Sequence, residues 1–145
     1  QQPKQEVKQA SKQYAPMKIY FNGKSVTYKN GGEANGQAII DSGNVASTWG
    51  GAETFSGSDG MNTHFIGHSP GVFSGIQGAS TFVITDGNGT ATTYKTTNVY
   101  KSPRLIRGEA VNRITGTGGG ERVVFQTCET ANGETVWIIE ASKVN

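Results

Sequence analysis

Disulfide chemistry within one chain is closed to this sequence, because Cys128 is its single cysteine. The fold must therefore stand on its core alone. Histidine is equally scarce, with His64 and His68 the only two. No stretch approaches the ~20 consecutive apolar residues of a membrane span, and no signal peptide is visible. Charge of one sign does not dominate either. Thirteen basic residues against eleven acidic ones leave a net charge of +2, spread along the chain, which argues against nucleic acid or an anionic membrane surface as partner. Runs that favour helix are few, and no internal repeat is found beyond a recurring hairpin pattern.

What is present reads as a single β-rich domain. The 145 residues include 21 glycines and are enough to bury a sizeable core. Residues 1–16, QQPKQEVKQASKQYAP, carry almost nothing to bury and read as a polar linker or stalk. Three hairpins follow. "MKIYFNGKSVTYKN" turns at Asn22-Gly23, a dipeptide that tolerates positive φ at both turn centres. "STFVITDGNGTATTYKTTNVY" turns around Asp86 to Gly89, and "RVVFQTCETANGETVWIIEA" around Asn132-Gly133. "VASTWGGAETF" is expected to carry a short helix or turn. The pattern predicts an all-β sandwich or barrel over residues 17–145.

A nucleophilic cysteine needs a base or a cationic neighbour, and histidine is the usual one. Both histidines lie in "GMNTHFIGHSPG", four residues apart and so on one face if the strand runs through both. Thr63 to Ile66 reads as strand and "GHSPG" as its exposed end. His68 thus falls where strands hand over to loops, a common place for a catalytic group. His64, deeper in the strand, reads as structural. The plain alternative for Cys128 is an inert buried side chain. A metal site is not expected, since no cysteine pair or carboxylate cluster completes one. "GTGGGER" at 116–122 lacks the Gly-Lys-Ser/Thr ending of a phosphate loop and precedes a strand, so it reads as a flexible connection.

"THFIGHS" at 63–69, followed about sixty residues later by "VVFQTCE" at 123–129, resembles the sortases, the cysteine transpeptidases of the Gram-positive cell surface. Gly67-His68 matches the family's histidine at a strand end, and Thr127-Cys128 its Thr-Cys strand. The hairpin between them is similar in place and character, and the resemblance spans roughly residues 17–142. It implies a sortase-like β-barrel with a few short helices or turns and no cofactor. It implies that Cys128 attacks the Thr–Gly carbonyl of a sorting signal like Leu-Pro-x-Thr-Gly to form a thioester. His68 then serves the departing and incoming amines. The partners would be surface proteins bearing such a signal, and a peptidoglycan precursor or pilin amine as acceptor. The location would be the outer face of the plasma membrane, reached through an anchor outside this chain, with residues 1–16 as its stalk. A lone thiol outside the cell invites oxidation, a cost that a working nucleophile explains.

The family's third motif, an Arg preceding an apolar run, has no match. Alignment on Ile138, Ile139 and Ala141 puts Val136 in its place. A two-residue turn at Asn132-Gly133 would set Cys128 opposite Trp137 and Glu129 opposite Val136. Of the four arginines, Arg104 and Arg107 in "KSPRLIRGEA" could reach back to the thiol; Arg113 lies farther along, and Arg122 is too distant along its strand. The backbone N–H of Glu129 is a further candidate for holding an oxyanion. Asp59, Glu109 and Glu129 are too scattered to suggest a calcium site. The missing Arg leaves a second reading open, a sortase-fold binding or assembly module with impaired catalysis. Retention of both Cys128 and His68 favours the active enzyme.

Overall fold

The computed structural model describes residues 14–104, 109–129 and 132–144. Eight strands close into a barrel. In chain order they are β1 (Lys18–Phe21), β2 (Lys24–Lys29), β3 (Ala46–Gly51), β4 (Asn62–Ile66), β5 (Thr81–Thr85), β6 (Ala91–Pro103), β7 (Arg122–Cys128) and β8 (Thr135–Lys143). Helix α1 (Gly32–Asp41) joins β2 to β3, and a shorter helix α2 (Glu109–Thr115) precedes β7. Around the barrel the order is β1-β2-β3-β4-β7-β8-β6-β5, with β5 returning to β1. Every strand has a neighbour on each side, although β2 meets β3 and β1 meets β5 through only two residue pairs each. No helix among the described residues is long and apolar enough to cross a membrane.

The interior is aromatic. All six phenylalanines of the chain are buried in one cluster with Tyr28 and Tyr94, and Phe125 lies at its centre, against Phe65, Phe73 and Phe82. Residues alternate along a strand between faces, so Val123 and Phe125 of β7 point inward. Val124 points outward and joins Val136, Ile138 and Ile114 in a second cluster beneath α2. Both faces of β7 are therefore covered, which is why its sequence reads as a continuous apolar run rather than an alternation.

All three expected strand pairs form as hairpins, the first across a two-residue turn at Asn22-Gly23. "VASTWGGAETF" is different: it holds strand β3, not a helix or turn. Its alternation is masked because α1 covers one face and the barrel interior the other, leaving Ala46, Ser47 and Thr48 all buried. The helix lies upstream instead, in α1, whose buried stripe Gly32, Gly36 and Ile40 falls at i, i+4 and i+8. Residues 1–13 of the expected linker lie outside the described residues. Contacts with the barrel begin before Met17, since Tyr14 packs edge-on to Tyr20 and the Ala15 carbonyl accepts a bond from Thr85.

Candidate active site

Two parallel neighbours bring the cysteine and histidine together. On β4 and β7, His64 pairs with Val124 and Ile66 with Gln126. The same sixty-residue offset separates Gly67 from Thr127, and Thr127 Oγ1 donates to the Gly67 carbonyl at 2.8 Å. Carried one residue further, that register sets His68 beside Cys128. The spacing legible in the sequence is therefore the pairing register of two strands. Gly67 is required by a close approach, because a Cβ there would stand 2.7 Å from the ring of Phe73. Phe73 in turn donates its N–H to the His68 carbonyl at 3.0 Å, fixing the backbone that carries the imidazole.

Cys128 and His68 line one cavity of about 480 Å³ together with Arg104, Gln126, Gly133 and Val136. Across the β7–β8 ladder Cys128 faces Val136, and Thr127 faces Trp137. The expected pairing of Cys128 with Trp137 is thus wrong by one residue. Glu129 donates to the Thr135 carbonyl and Asn132 Oδ1 accepts from Glu134 N–H, so the strands close through a longer connection of odd length, not a two-residue turn. The correction puts Val136, the residue aligned with the family's Arg, directly opposite the thiol.

Arg104 follows β6 and donates its backbone N–H to the Glu134 carbonyl. Its Nη1 and Cys128 Sγ lie 3.6 and 3.8 Å from the point that a Cβ on Gly133 would occupy. Gly133, at φ +74°, thus lies within ordinary contact distance of both the guanidinium and the thiol. Arg107 lies outside the described residues. Arg113 is engaged elsewhere, gripping Glu140 with two nitrogens at 2.6 and 2.8 Å. Arg122 donates to the Gly118 carbonyl at the far end of β7. The Glu129 N–H, considered as an oxyanion donor, is already given to Thr135 at 2.8 Å, and its carboxylate sits 3.7 Å from Lys101.

The site also contains a residue that no sequence signal marked. Asp41, the last residue of α1, holds His68 through Oδ1···Nε2 at 2.8 Å. Gln37, one turn earlier, donates to the same oxygen at 3.1 Å. The bonds from His68 and Gln37 keep the Asp41 carboxyl below its ordinary range. Twenty-seven residues separate Asp41 from His68, and only knowledge of α1 could have joined them. His64 is structural: buried, it accepts Gly50 N–H on Nδ1 and so donates from Nε2 to Gln126 Oε1 at 2.9 Å. Burial pushes its imidazole down to about 4. It lines an adjoining cavity of about 310 Å³ with Trp49, Val111 and Arg104. Among the described residues no group of three or more His, Cys, Asp or Glu could hold a metal ion.

No protein-family model and no curated protein matches the sequence. Solved structures do match its fold. Sortase A from Corynebacterium diphtheriae aligns over 92% of this chain and 62% of its own, at 12% identity and a TM-score of 0.66. The pilus-related sortase C of group B Streptococcus aligns over 88% and 66%, at 14% identity and a TM-score of 0.66. The chain has the sortase fold. Sortase C of Clostridium perfringens, solved with its C-terminal cell wall sorting motif, aligns over 88% of this chain at 10% identity and a TM-score of 0.61. This sortase-fold chain spans just under two thirds of the first two structures, and identities this low speak for architecture alone.

Proposed function

We propose that this sortase-fold protein is a cysteine transpeptidase that cleaves a C-terminal sorting signal between Thr and Gly and transfers the upstream part to an amine. One observation carries the reading: Cys128, His68 and Arg104 line a single open cavity on the outer face of the barrel. In the first step His68 takes the Cys128 thiol proton, Sγ bonds to the Thr carbonyl carbon, and the C=O π bond opens to place the charge on oxygen as an oxyanion. Arg104 supplies the charge to hold it, in place of the arginine that Val136 has displaced. The C–N bond to glycine then breaks, the proton for the leaving amine comes from His68, and a thioester remains. In the second step an incoming amine attacks that thioester. His68 takes the amine's proton and returns it to Sγ as the C–S bond breaks, so that a new amide forms and the thiol is restored.

The substrates on this reading are surface proteins with a Leu-Pro-x-Thr-Gly-like tail, and the acceptor is a peptidoglycan precursor or pilin amine. The cell surface is the matching location, with the polar N-terminal segment as a stalk. The test is ligation of such a peptide to an amine acceptor, read by mass. The parent protein is expected to form the new amide, and Cys128→Ala and His68→Ala to form none. Absence of product with the parent protein, across a panel of related signals and amines, would leave the sortase-fold binding module as the better account.

A further inference from the structure

We propose that Asp41 is the positioning residue for His68, holding the ring by Nε2–H so that Nδ1 is the nitrogen that serves the thiol and the amine. The catalytic consequence rests on the transpeptidase reading; the hold on the ring does not. An ionised carboxylate only accepts hydrogen bonds, so the 2.8 Å contact places the ring proton on Nε2. Nδ1 has no hydrogen bond among the described residues. Nothing else grips the ring strongly, since the His68 side chain is 44% exposed. Asp41 is its one polar partner among those residues.

Asp41 is itself held in place. Gln37 lies four residues earlier on α1, lines the cavity with His68, and donates to the same Oδ1. The two residues make one face of the helix into a bracket for the imidazole. The location is also unfavourable for an acid in the absence of a partner. Helix C-termini carry partial negative charge and favour cations, yet α1 ends in Asp41 and has no basic residue in its last turn. A carboxylate that works against its own helix, and that meets a histidine side chain, fits a functional demand better than a structural one. During amine expulsion and capture the ring alternates between neutral and protonated states. A fixed Nε2–H bond keeps it in one orientation through both, as a carboxylate does for a catalytic histidine elsewhere.

The experiment compares Asp41→Ala and Asp41→Glu with the parent in two readouts. The first is the ¹⁵N NMR tautomer of His68 in the resting protein, assigned by its loss in His68→Ala. The second is kcat and KM for signal-peptide acylation. The parent ring is expected in the Nε2–H form and the Asp41→Ala ring as a mixture of tautomers. Histidine general acid–base catalysis contributes about 10²–10⁴-fold, and loss of orientation alone is expected to lower kcat about tenfold with little change in KM. Asp41→Glu should recover part of the loss. Asp41→Ala should melt no earlier than the parent, because the substitution relieves the helix end. An unchanged tautomer in Asp41→Ala, or an unchanged kcat, overturns the proposal. If the parent itself never acylates, the transpeptidase reading falls, and the tautomer comparison still decides whether Asp41 sets the ring.

Discussion

At the residue scale, the cavity sets an apolar residue opposite the thiol and an arginine at its wall. Val136 faces Cys128 and packs outward with Ile114, Val124 and Ile138, so a charge there would be buried among apolar side chains. Arg104 reaches the same cavity from the end of β6, past the bare backbone of Gly133. If Arg104 holds the oxyanion, Arg104→Ala should lower kcat for acylation by about 10²–10³, the usual cost of a lost donor, and change KM far less. Arg104→Lys keeps the charge but loses the planar fork, and should fall between the two. A KM effect alone would make Arg104 a binding residue instead. In the sequence Cys128 and His68 were legible because a sixty-residue spacing is preserved in a strand register. Arg104 could be named only as one of two candidates in a connection, since the path from β6 back to the thiol depends on barrel closure. Asp41 left no trace, because its helix was not recognised.

At the element scale, turn chemistry settled which strands pair but not how the last hairpin closes. Asn132-Gly133 has the composition of a two-residue turn, yet Asn132 uses its side chain on Glu134 N–H and the ladder shuts at Glu129 and Thr135. One residue of register decides whether valine or tryptophan stands opposite the nucleophile. Gly133→Ala should expose that design. Positive φ costs a non-glycine residue about 1 kcal/mol, and the new methyl would touch both Arg104 and Cys128. The variant is expected to melt earlier and acylate more slowly, while a small alkylating reagent still modifies the thiol at the parent rate. Unchanged acylation would separate Arg104 from the chemistry. The few short helices expected are present, but their places in the sequence escaped notice for a local reason. Gly32, Gly36 and Asn35 weaken the propensity of α1, and α2 has only seven residues. What holds them is tertiary: α1 packs on β3, and Asn62 Nδ2 donates to the Ile114 and Gly116 carbonyls at the end of α2.

At the scale of the whole molecule, the barrel is built on an aromatic interior, and the site rides on its outer face. Hairpin signals and β-rich composition were enough to announce a sandwich or barrel. The parallel pairings of β2 with β3 and of β4 with β7 were not, because the first crosses over through α1 and the second joins segments sixty residues apart. His64 stands in the second of these pairings and ties stability to pH. Its imidazole lies at about 4 when folded against an ordinary 6.5, so between those values the unfolded chain binds more protons. Stability from this residue is therefore complete above pH 6.5 and lost as pH falls toward 4. From pH 7 to pH 5 the loss should be roughly 2 kcal/mol in denaturant melts, and His64→Gln should flatten it. A variant with the parent's slope would place the acid sensitivity elsewhere. The central claim, that Cys128 is a nucleophile working beside His68 and Arg104, is tested most directly by the intact mass of the protein after incubation with a Leu-Pro-x-Thr-Gly peptide. The account predicts an adduct equal to the peptide's portion through Thr, labile to hydroxylamine and absent from Cys128→Ala. A parent protein that keeps its unmodified mass across a panel of such signals, while its thiol is readily alkylated, would contradict it.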